Sequence, residues 1–507
     1  MGQLLDPIII DSFDGGVADD VRAAAPNEFA VAHHFDIYSK RHKLIPYRDM
    51  EAEAGSLSAY AIKSVVLFTD SAGTQAFFAL GNVSGQTYPQ ILEKTTIAGT
   101  FAESTTGAGA AGTVIATTLV GYKQTNKLYF MKTSGGNTII DSYDPATNTY
   151  TSTVGTIATT SSTGVYPRPF RHPLDDILYF AAGNIIAKLD NITFTAAALT
   201  LPSNLIVTSI TDYGIYLAIA CAPKDQGNES YVFLWGRDTS IVELDESIPA
   251  GVCALMVLEN LQGELIGVAS AAQSAGTVVD IAPKIILSVF SGSVMKPFKE
   301  IVWAGTGTPT TLLQNHKAKR YDKLYFAAKQ YIENKTVNQL WVVGKNQLGE
   351  FFVTPDKLVN NDTALTGSVD GFSMIGDYTW VAYNGDGSLK RTDNGANHTA
   401  TAIYESGRFN SGSSRLTKQI KGISVMFDPL SSGQTVVLKY KKDEETSFTQ
   451  IFTFNTANSL FHSAVNIESS GVEFPQYKEI AFKIESTGGA VITGLNAQPE
   501  LISADIY

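Results

Sequence analysis

The sequence predicts an all-β protein: a β-propeller of about seven blades, with an N-terminal extended segment before it and a C-terminal β-sandwich after it. The first observation behind this is a repeat. Lys127-Leu128-Tyr129-Phe130-Met131 recurs as Ile177-Leu178-Tyr179-Phe180-Ala181-Ala182 and as Lys323-Leu324-Tyr325-Phe326-Ala327-Ala328. Looser copies are Ile215-Tyr216-Leu217-Ala218 and Thr379-Trp380-Val381-Ala382-Tyr383. The second is punctuation, since each copy lies between Asp, Asn or Gly turn signals. The third is composition: 43 Gly among 507 residues, with 44% hydrophobic and only 17% charged, is the usage of many short strands joined by tight turns.

Residues 1–60 read as an extended docking segment. Ile8-Ile9-Ile10 is a strand that runs into the turn Asp14-Gly15-Gly16. A short helix is expected near Pro26, because proline is tolerated in a first turn. His33 to Tyr38 reads as a strand, and Lys40 to Arg48 as a basic extended stretch.

Residues 61–400 hold the repeats, beginning near 64, 128, 178, 215, 265, 324 and 379. A blade takes about 40–50 residues. Seven blades follow, and the uneven spacing leaves six or eight open. Asp144-Pro145-Ala146-Thr147-Asn148 is a turn, with proline presetting one position and Asx side chains closing it. Gly183-Asn184 is a two-residue hairpin turn. The recurring Leu-Tyr-Phe phrase is expected on an inner strand of each blade. After residue 400 strands become more regular, as in Ser424-Val425-Met426-Phe427, which gives a jelly-roll-like sandwich over 401–507 or part of a last blade.

Charge and cysteine narrow the function. A net charge of −12 argues against gripping nucleic acid through phosphates and suits a conduit whose wall repels DNA. Cys221 and Cys253, in apolar runs with no histidine pair nearby, read as free thiols. No stretch has the apolar length of a membrane span, and the first residues lack the features of a secretion signal. Synthesis in a cytoplasm is expected.

A resemblance sits at the two ends and in one blade. Phe13-Asp14-Gly15-Gly16-Val17, Pro26-Asn27-Glu28-Phe29, Phe35-Asp36-Ile37-Tyr38 and Leu44-Ile45-Pro46-Tyr47-Arg48 together resemble the opening of propeller-bearing tail proteins of tailed bacteriophages, although the last phrase lacks that family's Pro-Gly. Trp235-Gly236-Arg237-Asp238 and Glu405-Ser406-Gly407-Arg408-Phe409-Asn410 look like a blade and the appended sandwich of the same proteins. The resemblance implies a structural virion protein of the tail nozzle or tube end. It would form a ring homo-oligomer, with a hexamer among its possible sizes, join adaptor and fibre proteins, and let DNA pass during ejection.

Chemistry-bearing residues point to no enzyme, cofactor or metal. Asn384-Gly385-Asp386-Gly387-Ser388 lacks the alternating acids of a calcium loop. His33, His34 and His42 match no metal triad. Arg168, Arg171 and His172 read as a surface loop or subunit contact. Asp141, Asp144, Asp175, Asp176, Asp212, Asp322 and Asp377 mostly hold turn positions, and no nucleophile elbow, phosphate loop or dinucleotide fingerprint occurs. The alternative function is a carbohydrate-binding or glycan-cleaving propeller, for which Trp235, Trp303, Trp341 and Trp380 would be the aromatic platforms.

Overall fold

A computed structural model describes residues 3–504 apart from 14, 19–21, 23, 39, 41, 54–56, 58–59, 84–88, 105–111, 115–118, 162–163, 225–228, 239–246, 252, 271–283, 303–312, 333–334, 347–348, 359–368, 384–388, 393–397, 399–400, 460 and 465–475. The described chain is all-β, with no α-helix. It forms two compact units: residues 50–339 with 364–392, and residues 1–49 with 340–363 and 393–507. These cut across the three consecutive segments expected, because the N-terminal residues group with the C-terminal ones.

The larger unit is a succession of small antiparallel meanders. The first runs Tyr60–Thr69, Gln75–Val83, Pro89–Lys94, Ala102–Glu103. In the second, Lys127–Ser134, Asn137–Asp144 and Thr149–Ile157 follow the short strands Thr113–Val114 and Val120–Tyr122. The third is Phe170–Arg171, Leu178–Ala182, Ile185–Asp190, Thr193–Thr200, and the fourth Leu205–Tyr213, Tyr216–Pro223, Tyr231–Trp235, Ser247–Pro249. The fifth is Ala254–Leu261, Glu264–Ser270, Lys284–Phe290, Met295–Val302. A sixth begins with Leu313–Arg320 and Lys323–Ile332. The last sheet, Val369–Ile375, Tyr378–Tyr383, Leu389–Thr392, takes its fourth strand from Met50–Ala52, far earlier in the chain.

The Leu-Tyr-Phe phrase is the second strand of its sheet, and packing explains its composition. Leu128 and Phe130 pack with Phe68 and Phe78 of the first sheet, whereas Tyr129 and Met131 pack with Leu178 and Phe180 of the third. One step on, Tyr179 and Ala181 face Leu217, Ile219 and Trp235 of the fourth. A strand covered on both faces loses the in-out alternation and becomes continuously apolar. At roughly 1.5–3 kcal/mol for each large apolar side chain buried, these shared layers hold successive sheets together. Trp380 and Ala382 of the last sheet pack the same way against Ile62, Val65 and Ala79 of the first.

The smaller unit has two larger sheets. In one, Gln3–Leu4 and Ile8–Ile10 pair with Ile492–Ala504, which pairs with Leu416–Phe427 and then Phe461–Ala464. In the other, the order is Gly16–Val17, Glu28–His33, Ala402–Ser406, Ile480–Thr487, Thr435–Lys442, Thr449–Phe454. The expected helix near Pro26 is a turn instead. The Glu28 carboxylate accepts from the Ala25 N–H at 2.9 Å, and residue 28 goes straight into a strand. Asn27 crowds Gly15, where a Cβ would meet the Asn27 carbonyl at 2.8 Å, and Gly16 has φ +82° with the Val353 carbonyl 2.9 Å from its would-be Cβ. Both glycines of the turn are therefore required. Phe13 packs edge-on against Tyr404 at 5.3 Å, tying this turn to the C-terminal strands.

Candidate functional site

Polar groups of the larger unit gather on the first strands of neighbouring sheets. Thr211 and Asp212 come from the fourth sheet, Glu259 and Asn260 from the fifth, and Lys317 and Lys319 from the sixth. These strands run in parallel, as their side-chain bonds require. The Thr208 hydroxyl donates to the Leu255 carbonyl and Thr211 to Glu259, while Lys317 reaches the Leu258 carbonyl and Lys319 that of Asn260.

Glu259 is the hub. Its carboxylate lies 2.9 Å from Lys317 Nζ, 3.9 Å from Lys319 Nζ, and accepts from Thr211 Oγ1 at 3.2 Å. Lys317 also donates to the carbonyls of Ile210 and Leu258 at 2.8 and 2.6 Å, so all three of its protons are used. Burial pulls its pKa down while Glu259 opposes the shift. Arg168, on the segment entering the third sheet, is also shifted down by burial, with the charge of Glu259 opposing. His316 is buried and held neutral, its pKa lowered to about 4 by desolvation and by the charge of Lys63. The Asp212 carboxylate accepts from Asn260 Nδ2 at 3.1 Å. Chemically, the arrangement presents fixed cations beside two engaged carboxylates. Sequence reasoning missed Glu259, Lys317 and His316. Glu259 interrupts the apolar strand Ala254–Leu261, whereas His316 and Lys317 stand in the polar strand Leu313–Arg320, which gives no local sign that they are buried.

A second cluster joins two phrases that the sequence singles out separately. Arg237, from Trp-Gly-Arg-Asp, has Nη1 3.1 Å from His172 Nδ1, pairs with the Asp175 carboxylate, and donates through Nη2 to the Ile215 carbonyl at 2.9 Å. His172 is fully buried and its pKa is lowered, first by desolvation and then by Arg237, against the pull of Asp175. The expected surface loop is thus split. Arg171 is exposed and pairs with Asp176 at 3.2 Å, whereas His172 is core.

The remaining candidates disperse. Asp141, expected among turn residues, is buried in a strand with Lys132 and Tyr150, and accepts from the Thr153 N–H at 2.7 Å. Asp144 accepts from the Ala146 N–H within its turn, Asp322 from Gln262 at 3.2 Å, and Asp377 is exposed. Trp235, Trp341 and Trp380 are all buried, which removes them as platforms for a sugar ring, and Trp303 lies outside the described residues. The Asn384 to Ser388 loop also lies outside them. His33 and His34 are buried, and His42 Nδ1 is 2.6 Å from the Asp11 carbonyl. Among the described residues no group of three His, Cys, Asp or Glu side chains could hold a metal ion. Cys221 and Cys253 are free thiols; burial raises both, Cys253 to about 11.

No protein-family model matches the chain, and no curated protein matches it. Solved structures do. An exo-β-1,3-galactanase from Phanerochaete chrysosporium aligns at 12% identity and TM-score 0.29, over 85% of this chain and 98% of that one. An engineered GH43 glycoside hydrolase with endo-xylanase and exo-arabinofuranosidase activity aligns at 10% and 0.30, over 90% and 100%. The N-terminal domain of Nup159 aligns at 10% and 0.38, over 72% and 98%. These likenesses carry no substrate or reaction across. One expectation is corrected by them, that of a chain without enzymatic activity: glycoside hydrolases are among the structures it resembles.

Proposed function

We propose that this chain is a structural component of a phage tail, built as a seven-bladed β-propeller and a β-sandwich. It assembles with copies of itself into a ring at the nozzle or tube end, where it meets adaptor and fibre proteins and DNA passes. One observation carries the reading. The two end segments that resemble phage tail proteins, more than 350 residues apart, are neighbours in one sheet: Glu28–His33 pairs with Ala402–Ser406, Tyr404 opposite Ala32 and Ser406 opposite Phe29. Two phrases far apart in the sequence therefore form one piece of structure. The propeller is supported by the last sheet, which borrows Met50–Ala52 as its outer strand and packs on the first. The acidic net charge suits a wall that DNA slides past.

Imaging the purified full chain by electron microscopy, with its mass measured in solution, tests this. Closed rings of a defined copy number are expected. A chain that stays monomeric at every concentration, and is absent from tail particles, would sink it.

A second reading, a glycan-acting propeller, has one observation of its own. Glu259 and Asp212 stand on adjoining first strands. Glycan hydrolysis by the full chain that Glu259→Gln abolishes would favour it.

A further inference from the structure

Three of the large apolar side chains most open to solvent are Leu174, Ile192 and Ile215, at 65%, 81% and 62% exposure. They stand on three separate turns. Leu174 is between the first two strands of the third sheet, Ile192 between its last two, and Ile215 between the first two of the fourth. A continuous chain of hydrogen bonds links these turns. The Asn191 N–H, beside Ile192, donates to the Tyr122 hydroxyl at 3.1 Å, and that hydroxyl donates to Gln124 Oε1 at 2.7 Å. Gln124 Nε2 donates to the Asp176 carbonyl at 3.3 Å, and the neighbouring Asp175 carboxylate takes Arg237, whose other nitrogen holds the Ile215 carbonyl. The Leu174 N–H closes the set on His172 Nδ1 at 3.3 Å. The three side chains thus stand on turns that one set of hydrogen bonds ties to one another.

We propose that Leu174, Ile192 and Ile215 form a docking epitope for another protein that presents apolar side chains edged by Lys or Arg. Preorganised turns lower the ordering cost of association, so a small apolar patch can anchor a partner. The charge around the patch selects the chemistry. Asp190, two residues before Ile192, and Asp238, next to Arg237, are both exposed and neither is in an ion pair among the described residues, while Arg171 is taken by Asp176. A second copy docked through the same patch would bring these carboxylates against their own counterparts, in a chain of net charge −12. A basic rim on the partner answers them.

The epitope does not depend on ring assembly or on a tail, and imaging of the full chain leaves it untouched. Its test is selection of a random peptide library on the immobilised full chain, compared with Ile192→Ser/Ile215→Ser and Asp190→Asn/Asp238→Asn. Both pairs change exposed side chains, so thermal unfolding is expected to stay put, and a shifted melt would move the aliphatic test to Leu174→Ser. Enriched peptides are expected to combine apolar residues with Lys or Arg. Their binding should fall about tenfold or more in the serine pair and severalfold in the asparagine pair or at high salt. No enrichment, acidic peptides, or equal binding to all forms would overturn the epitope. A concentration-dependent dimer abolished by the serine pair, seen by sedimentation, would overturn the choice of partner.

Discussion

The indole N–H of Trp380 donates to the carboxylate of Glu53 at 2.7 Å, and neither group meets water. The same carboxylate binds Lys94 of the first sheet at 2.7 Å and Arg391 of the last at 2.8 Å. Lys94 is further enclosed by the rings of Phe77, Phe101 and Trp380. Glu53 follows the borrowed strand Met50–Ala52, so one buried carboxylate clasps the beginning and the end of the larger unit.

Breaking a buried ion pair from one side costs about 3–5 kcal/mol, because the partner charges stay behind in a dry site. Glu53→Gln is expected to lower stability by roughly that amount in urea unfolding. Glu51→Gln, which removes a partly exposed partner of Arg391, should cost about 1 kcal/mol or less. Equal midpoints for the two variants would show that the clasp contributes nothing special.

Arg237 holds three acceptors on two turns with one guanidinium, at a backbone φ of +73°. Lysine has a single point of attachment and cannot reproduce the fork. Arg237→Lys is expected to cost about 1–3 kcal/mol. It should also leave a lowered His172 pKa, since a cation remains, whereas Arg237→Ala should let that pKa rise. Titration of the His172 ring by NMR separates the two; identical titrations in both variants would remove Arg237 as a cause.

Gly16→Ala places a methyl group 2.9 Å from the Val353 carbonyl at a left-handed φ, while Gly73→Ala, at φ +86°, meets nothing within 4 Å. The backbone penalty alone is about 1 kcal/mol. Thermal unfolding should show about that loss for Gly73→Ala and a clearly larger one for Gly16→Ala. Similar losses would mean that the Val353 approach is relieved by a shift.

His316 gives a pH dependence of known sign. Its folded pKa of about 4 lies below the unfolded value of about 6.5, so between these values the unfolded chain binds more protons. Stability contributed by the neutral ring is present above pH 6.5 and is lost as pH falls through that window, by up to about 3 kcal/mol near pH 4. His316→Gln should flatten that part of the stability profile measured from pH 7.5 to 5. Superimposable profiles would refute the assignment.

Several features are legible in the sequence. Asp144-Pro145, Gly183-Asn184 and the other turns fall where their side chains and φ preferences put them, because those are local properties. The apolar second strands are legible as strands, though their neighbours are not: a run such as Leu178-Tyr179-Phe180 reports that both faces are covered, not what covers them. Residues 1–60 are harder. Nothing local to Ile8-Ile9-Ile10 says that its partner is Ala497-Asn496-Leu495, nor that Met50–Ala52 completes the last sheet. The polar groups on the first strands are equally hidden, since Glu259 and Lys317 become a pair only when two parallel strands meet.

The sequence by itself determined that this protein is made of many short strands with fixed turns, because period, propensity and turn chemistry act over a few residues. Tertiary structure alone decided which distant segments complete the last sheet of the larger unit and the two sheets of the smaller one, and which charges are buried together. Those choices rest on hydrogen-bond ladders and ion pairs between residues tens to hundreds of positions apart, whose desolvation is offset only once both partners are in place.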